Sequence, residues 1–246
     1  MSLFKKNSEP GNLYDYSHIY QDIHCHLLPG IDDGSPDAAT SVAMIKSLMD
    51  LGFSRFICTP HVIGDMFRNT PETIGNALAI LKKAVASEHL EVQLSAAAEY
   101  LLDDYFLELL RNNQPLLMLT GKYILTEISF SSAPDNLEKI SFDLINNGYH
   151  PLLAHPERYL YYHKNHGIYH RLKELGFLLQ VNLLSLTGYY GKPTAKAALY
   201  IVEHGLADFV GTDLHHFNHL EALADKRNRG LFQKVLGDKV YNRFGE

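Results

Sequence analysis

The chain has 246 residues, of which 46% are hydrophobic and 20% are charged, a balance typical of a globular protein. Its formal net charge of −6 argues against a nucleic-acid-binding surface, and the lack of a long apolar run argues against a membrane-spanning helix. Two cysteines in a chain of this length argue against a disulfide scaffold, so we predict a cytoplasmic protein without membrane insertion.

The first residues, 1–18, lack the apolar core of a signal peptide. We predict a loosely held N-terminal arm over 1–18 and a single domain over 19–246, since no Ser/Gly-rich linker divides the rest of the chain. A chain of this size is long enough to bury one large core.

One pattern recurs along the chain: a helical segment that ends in glycine is followed by an apolar strand. It appears at Gly52, Gly148, Gly176 and Gly205, and glycine just past a helix supplies the left-handed cap. Repeated units of this kind indicate an α/β fold with a parallel sheet and right-handed crossovers. The predicted strands are 19–26, 53–58, 91–98, 122–128, 150–155, 177–182 and 207–212.

Helices are expected between these strands, with a terminal helix over 228–244. About seven parallel strands in one unbroken series fit a barrel better than two domains. The fold class predicted from the sequence is therefore an α/β barrel.

The first predicted strand carries His24 and His26. Side chains two residues apart on a strand point to the same face, and paired imidazoles suit a divalent metal such as zinc, manganese or iron. A turn bounded by glycines follows, with the carboxylates of Asp32 and Asp33. This stretch predicts one part of a metal site.

Nearly every predicted strand ends in a polar residue, which is where a βα barrel builds its active site. In chain order these residues are His24, His26, His61, Glu99, Glu127, His155, Asn182, Asp213 and His215. Imidazoles and carboxylates without a sulfur cluster favour Mn, Fe, Zn or Mg. About nine ligands exceed the four of a structural zinc site, so we predict two or three metal ions, which together suit phosphoryl chemistry.

Four motifs resemble a known family: DIHCHLLPGIDDG at 22–34, TPH at 59–61, AHPER at 154–158 and DLH at 213–215. They are similar to the polymerase-and-histidinol-phosphatase (PHP) superfamily, and more closely to the bacterial manganese-dependent protein-tyrosine phosphatases of capsule and exopolysaccharide operons. The resemblance implies a distorted TIM-like (β/α)7 barrel of the PHP fold with three metal ions at the strand ends. It also implies a phosphotyrosine substrate, typically in the tail of a tyrosine autokinase that controls polysaccharide export.

The resemblance further assigns roles to single residues. The implied ligands are His24, His26, Glu99 and Asp213 for a first metal; Glu99, Glu127 and His155 for a second; and Asp33, His61 and His215 for a third. Asp32 is the alternative to Asp33, because spacing alone does not choose between them. Asp22 resembles a partner that orients a ligating histidine, and Arg158 resembles a phosphate-binding arginine, whose guanidinium fork suits phosphate oxygens.

We therefore predict a phosphomonoester hydrolase that acts on phosphotyrosine. Asp33 is a candidate proton donor to the leaving group, and His216 and His219 are weaker candidates. The 62–69 loop, which includes Arg68, and the aromatic segment 159–163 are candidates for contacts with the substrate.

Other classes of protein make different predictions. A cysteine phosphatase needs an arginine six residues after its nucleophile, but Ile31 and Gly64 stand six residues after Cys25 and Cys58. A small-molecule phosphatase such as a histidinol phosphatase would use the same metals. An amidohydrolase usually has lysine where Glu127 stands, and a metal-stabilised adaptor for the kinase would bind metal without hydrolysis. The native metal and the oligomeric state stay open.

Overall fold

The computed structural model describes residues 14–237, 239 and 241–244. Its strands are β1 Arg55–Cys58, β2 His61–Val62, β3 Gln93–Ala96, β4 Glu99–Leu101, β5 Tyr123–Glu127, β6 His150–Ala154, β7 Leu178–Asn182 and β8 Phe209–Gly211. Six of them form one sheet in the order β2-β4-β5-β6-β7-β8, and β1 pairs with β3. Every pair is parallel, which confirms the predicted α/β class.

Helices connect these strands. They are α1 Ala38–Asp50, α2 Pro71–Ser87, α3 Asp104–Arg111, α4 Leu137–Asn146, α5 Gly167–Glu174, α6 Leu183–Thr187, α7 Lys192–Glu203, α8 Phe217–Leu223 and α9 Arg229–Val235, with short 3-10 turns at Pro156–Arg158, Leu160–Tyr162 and Lys226–Asn228. The longest, α2, begins after Thr70, whose side chain accepts a hydrogen bond from the Thr73 N–H. Within the described ranges, no helix has both the length and the hydropathy to span a bilayer.

Buried strand residues alternate between two apolar clusters. On β6, Leu152 and Ala154 belong to a small cluster, whereas Leu153 between them belongs to the main core with the helices. Alternate side chains of a strand point to opposite faces, so the small cluster lies on the face away from the helices. Because both faces are covered, these strands are mainly apolar.

The prediction of a regular strand over 19–26 is wrong. Isolated bridges join Asp22 to Phe56 of β1 and Cys25 to Leu214 after β8. The segment is therefore extended and bonded on both sides, but it has too few ladder bonds to form a strand of its own.

Two other predicted boundaries are also wrong. The predicted strand 91–98 is shorter in the structure, where β3 covers only Gln93–Ala96 and a separate strand, β4, begins at Glu99. The predicted terminal helix over 228–244 ends early at Val235. Gly237 follows with a φ of 57°, a left-handed conformation that stops a helix.

The prediction of a loosely held arm over 1–18 is wrong for the part of it that the structure describes. Residues 1–13 lie outside the described residues. Tyr14 and Tyr16 are both buried. Tyr16 stacks on Phe53 with ring centroids 5.3 Å apart, and its hydroxyl donates to the Leu223 carbonyl at 3.1 Å. Tyr14 and Tyr16 therefore belong to the core of the domain.

Replacing Tyr16 with alanine is expected to lower the free energy of unfolding by about 3–5 kcal/mol, since a large fully buried ring is lost. Tyr16→Phe removes only the hydroxyl and is expected to cost about 1 kcal/mol. Urea unfolding followed by circular dichroism measures both. Wild-type stability in Tyr16→Ala would show that this segment does not pack against the domain in solution.

Candidate metal centre

The predicted ligands converge at the carboxyl ends of the strands. Glu99 and Glu127 lie two residues after Ala97 and Leu125 of the small apolar cluster, so these carboxylates face the same side of the strands. His155 directly follows β6 and has a left-handed backbone conformation, with a φ of 36°. The ends of the strands therefore set the positions of these ligands.

Four overlapping groups of nitrogen and carboxylate oxygen atoms lie here, and the atoms of each group are within 4.8 Å of one another. The groups are His26, Asp33, His61 and His215; His24, His26 and Asp213; His24, Glu99 and His155; and His61, Glu99 and Glu127. All nine ligands predicted from the sequence fall in these groups, and no other described residue does. Shared members join the groups into one continuous cluster.

Hydrogen bonds on the outer side of the cluster orient its two central imidazoles. His24 Nδ1 lies 2.7 Å from Gln180 Oε1, and His26 Nδ1 lies 2.8 Å from Asp32 Oδ2. Both partners are acceptors, so each Nδ1 carries a proton and a neutral ring keeps its lone pair on Nε2. The two Nε2 atoms are 3.3 Å apart. Two lone pairs held face to face in this way suit a shared cation.

The carboxylate of Glu99 lies at the centre of the cluster. Its Oε2 is 3.1 Å from His24 Nε2, 3.4 Å from His26 Nε2 and 3.2 Å from His61 Nδ1. Yet this buried oxygen accepts no hydrogen bond from the described residues, and such an atom costs about 1–3 kcal/mol when left without a partner. A cation here would meet the oxygen and the nitrogens together, so these residues fit a metal.

Opposite charges dominate the electrostatics of the cluster. Burial opposes protonation of His24, but the carboxylates of Glu99 and Asp213 outweigh it and raise its pKa to about 9. Burial likewise opposes ionisation of Glu99, but His24 and His61 hold its pKa well below the usual range. Protons and metal ions compete for the same imidazole lone pairs. The cluster is therefore built to hold positive charge.

The two neighbouring carboxylates of the first motif have different surroundings. Asp32 Oδ2 accepts hydrogen bonds from His26 Nδ1 and, at 3.2 Å, from the His61 N–H. Asp33 Oδ1 instead lies 3.6 Å from His61 Nε2 and 3.5 Å from His215 Nε2. The geometry therefore favours Asp33 as the ligand and makes Asp32 the residue that orients His26.

The pKa shifts of the candidate proton donors do not favour that role, which stays a prediction. The hydrogen bond from His215 is the main reason that the pKa of Asp33 falls to about 2. Burial lowers the pKa of His219 to about 4 and also lowers that of His216. At neutral pH Asp33 is thus ionised and His219 is neutral, so neither is in the acidic form that proton donation needs.

Asp22 hydrogen-bonds to the candidate ligand His24, as the resemblance implies, but through the backbone of that residue. Its Oδ1 accepts from the His24 N–H at 3.3 Å, and its Oδ2 accepts from the Thr212 hydroxyl at 2.5 Å. The imidazole of His24 is instead oriented by Gln180. Asp22 therefore ties the backbone of the first motif to the end of β8.

A cavity of about 290 Å³ adjoins the cluster, and Arg158 lies in its wall. Arg158 Nη1 donates to Asp213 Oδ2 at 2.6 Å. The guanidinium carbon is 5.1 Å from the ring centroid of Phe130 and 4.4 Å from that of Tyr190. The cavity is lined by Asp33, His61, Glu127, Phe130, His155, Arg158, Tyr190, Asp213, His215, His216 and His219. A cation therefore stands beside the ligand cluster, as the prediction for Arg158 requires.

Two predicted substrate contacts do not reach this cavity. Arg68 donates from Nε to the Gly64 carbonyl at 2.5 Å and lies over the ring of Tyr105. Neither Arg68 nor the 159–163 segment lines the cavity, and Tyr159 is fully buried. A role for Arg68 in substrate binding stays a prediction.

Comparison with known proteins shows the family to which the chain belongs. Residues 20–242 match the model of a family described as capsular polysaccharide synthesis, CpsB/CapC. The chain belongs to the CpsB/CapC family. It is 33% identical to tyrosine-protein phosphatase YwqE of Bacillus subtilis over 79% of this chain and 77% of the relative. It is 27% identical to the putative tyrosine-protein phosphatase CapC of Staphylococcus aureus, over 90% and 88% of the two chains.

Solved structures give the same picture. One comes from work on YwqE from Bacillus subtilis and CpsB from Streptococcus pneumoniae, described there as unique metal-dependent tyrosine phosphatases. It matches with a TM-score of 0.79 and 32% identity over 88% of this chain and 87% of that chain. An amidohydrolase from Mycoplasma synoviae matches with a TM-score of 0.53 and 15% identity over 90% and 85% of the two chains, a likeness of fold alone.

Two buried amides connect a pair of ligands in this CpsB/CapC protein. Gln180 Nε2 donates to Asn182 Oδ1 at 2.9 Å, and Asn182 Nδ2 donates to Asp213 Oδ2 at 2.7 Å. Since Gln180 also contacts His24, the pair fixes His24 and Asp213 relative to each other. The two amides lie two residues apart on β7 and so share a face.

Replacing Gln180 with leucine is expected to weaken Mn²⁺ binding by about 10–100-fold, the usual loss when a partner of a ligating histidine is removed. The imidazole of His24 would then be free to turn. Calorimetric titration of the metal-free protein with Mn²⁺ measures the change. Gln93→Leu is the matched control, because Gln93 is exposed at the start of β3. Unchanged affinity in Gln180→Leu would contradict the proposed orienting role.

Sequence reasoning missed Gln180, Phe130 and Tyr190. Gln180 stands within an apolar strand, where a buried amide needs partners, and its spacing of two residues from Asn182 was the available signal. Phe130 follows β5 closely, and Tyr190 precedes α7. Phe130 thus lies in the connection after a strand, which is where barrel enzymes place substrate contacts, whereas Tyr190 lies between α6 and α7.

Proposed function

We propose that this protein is a metal-dependent protein-tyrosine phosphatase. The observation that carries the proposal is the convergence of nine candidate ligands, Glu99 among them, beside the guanidinium of Arg158. Family membership supports it, because relatives in the CpsB/CapC family carry the name tyrosine-protein phosphatase.

We infer that two or three metal ions bind here. Mn²⁺ is the first choice, and Fe, Zn and Mg are the alternatives. The inferred ligands are His24, His26, Glu99 and Asp213; Glu99, Glu127 and His155; and Asp33, His61 and His215. Glu99 belongs to two of the observed groups, which supports a bridging role. Such ions, when bound, supply a water of lowered pKa and positive charge for phosphoryl oxygens.

Anomalous diffraction from crystals loaded with Mn²⁺ tests this ligand set. We expect two or three peaks among the nine side chains, with Glu99 in bonding contact with two of them. A single peak away from Glu99 would contradict the assignment.

The protein's own side chains supply binding and orientation. Arg158 is placed to hold phosphate oxygens, since a guanidinium pairs with them through two parallel hydrogen bonds. Gln180 and Asp32 hold the histidine tautomers that leave Nε2 free. A tyrosine leaving group has a pKa of about 10, so its departure does not depend on a strong acid. The lowered pKa of Asp33, which keeps this carboxylate ionised, agrees with that requirement.

We also infer a distorted (β/α)7 barrel of the PHP type. The bonds of the 22–26 segment to both Phe56 and Leu214 support closure of the ring of strands. The solved structure from the work on YwqE and CpsB, which matches this chain with a TM-score of 0.79, supports the same overall fold.

Initial rates on three substrates test the proposed activity. The Mn²⁺-loaded protein is assayed on a phosphotyrosine peptide, on a phosphoserine peptide of the same sequence and on histidinol phosphate. Preference for phosphotyrosine is expected. Preference for histidinol phosphate would mean that the proposed site is right but the proposed substrate is wrong. Absence of hydrolysis of all three substrates would refute the proposal.

For the physiological substrate, we propose the phosphorylated tail of a tyrosine autokinase that regulates capsular or exopolysaccharide synthesis. The family description and the resemblance of the motifs support this partner. A cytoplasmic location, as predicted from the sequence, accords with it. Dephosphorylation of an autokinase tail by the wild-type protein is the expected result, and an inert tail beside an active phosphotyrosine peptide would refute the partner.

A further inference from the structure

Two aromatic rings flank the guanidinium of Arg158 in the cavity wall. Phe130 and Tyr190 both present their faces to it, at 5.1 Å and 4.4 Å. Phe130 also stacks on His155, with ring centroids 5.6 Å apart and planes at 22°. These contacts fix Phe130 between a candidate metal ligand and the candidate phosphate-binding arginine.

Phe130 nevertheless remains 48% exposed. An exposed aromatic ring forgoes the free energy of burial, and Phe130 is one of the residues that line the cavity. The hydroxyl of Tyr190 in the same wall is buried and has no hydrogen-bond partner among the described residues. An apolar surface and an unpaired polar atom in one wall both indicate a ligand that brings a ring and polar atoms together.

The size of the cavity restricts that ligand. Its volume of about 290 Å³ lies at the lower end of the roughly 300–1,000 Å³ usual for ligand pockets. An aryl phosphate is compact enough, and its phosphorus would have to reach the ligand cluster. The ring attached to that phosphate would then lie along the wall of the cavity.

We propose that Phe130 contacts the phenyl ring of phosphotyrosine and is a specificity-determining residue against phosphoserine. This inference rests on the proposed phosphatase function and deepens it. Phosphoserine would bring its phosphate to the same ligands but would leave the exposed part of Phe130 uncovered. Tyr190 acts differently, because its closer contact with Arg158 keeps the guanidinium in place.

The inference differs from the prediction made from the sequence alone. That prediction offered the 62–69 loop and the 159–163 segment as candidates for substrate contacts, but no residue of either lines the cavity. Offset or edge-to-face contact with a neighbouring ring is the favoured geometry for aromatic side chains. Phe130 is the phenylalanine of the cavity wall that can offer this contact.

The test compares Phe130→Ala and Phe130→Tyr on phosphotyrosine and phosphoserine peptides of one sequence. In Phe130→Ala, kcat/KM on phosphotyrosine is expected to fall about 10–100-fold while phosphoserine stays within about twofold, the range that a lost apolar contact produces. Phe130→Tyr keeps the ring and is expected to keep the preference. Phe142→Ala is the matched control, because Phe142 is exposed on α4.

A binding measurement separates specificity from turnover. Phenylphosphonate is expected to bind Phe130→Ala about tenfold more weakly than wild type, and methylphosphonate equally well. Equal losses on both peptides, or an unchanged ratio of rates, would overturn the role of Phe130. If wild type itself failed to hydrolyse phosphotyrosine, the proposed function would fall instead, so the two failures are distinguishable.

Discussion

Replacing His155 with alanine is expected to reduce hydrolysis of a phosphotyrosine peptide by about a thousandfold or more, the loss seen when a group that stabilises the transition state is removed. His155 Nε2 lies 3.0 Å from Glu99 Oε1 and 3.9 Å from Glu127 Oε2. The variant therefore loses one of the nitrogens that hold this part of the cluster. Steady-state rates with Mn²⁺ in excess measure the loss.

His150→Ala is the matched control for His155→Ala. His150 lies at the opposite end of the same strand, is exposed, and is absent from the ligand groups. We expect wild-type activity from this control and a free energy of unfolding within about 2 kcal/mol of wild type for both variants. A folded His155→Ala protein with undiminished activity would exclude the proposed site.

Arg158→Lys is expected to lower kcat/KM on phosphotyrosine by about a hundredfold. Lysine keeps the positive charge but loses the planar fork that pairs with two phosphate oxygens and stacks on aromatic rings. Both properties matter here, since Arg158 contacts Asp213 and lies over Phe130 and Tyr190. Rates over a range of peptide concentrations, together with inhibition by inorganic phosphate, measure the effect.

Arg171→Lys is the matched control for Arg158→Lys. Arg171 pairs with Glu174 on the exposed surface of α5, and exposed ion pairs contribute little to stability. No change in kinetics is expected from this control. If Arg158→Lys retained both its rate and its inhibition by phosphate, Arg158 would have no role in holding phosphate.

Candidate ligands such as His155 and Glu127 could be predicted because they follow or end an apolar strand. An imidazole or carboxylate such as His155 or Glu127 interrupts a buried run, and parallel strands bring their carboxyl ends together. The choice between Asp32 and Asp33 could not be predicted, because both sit in one turn. Hydrogen bonds from His26 and the His61 N–H occupy Oδ2 of Asp32, and no sequence spacing encodes them.

The rest of the fold depended on contacts between distant residues. Tyr16 belongs to the core because Phe53 and Phe232 offer it a surface, which the polar composition of its neighbours did not reveal. The role of Gln180 could not be predicted from its place in a buried strand, because it depends on the contact with His24 in the folded chain. The ring contact of Phe130 likewise depends on where Arg158 lies in the folded chain.

The most direct test is the rate of phosphotyrosine hydrolysis by metal-stripped protein before and after addition of Mn²⁺. We predict negligible activity before addition and recovery of full activity afterwards, because Glu99, His24 and His26 lie together in a cluster that suits a cation. Undiminished activity in the stripped protein, with metal content verified by elemental analysis, would contradict the metal-dependent mechanism.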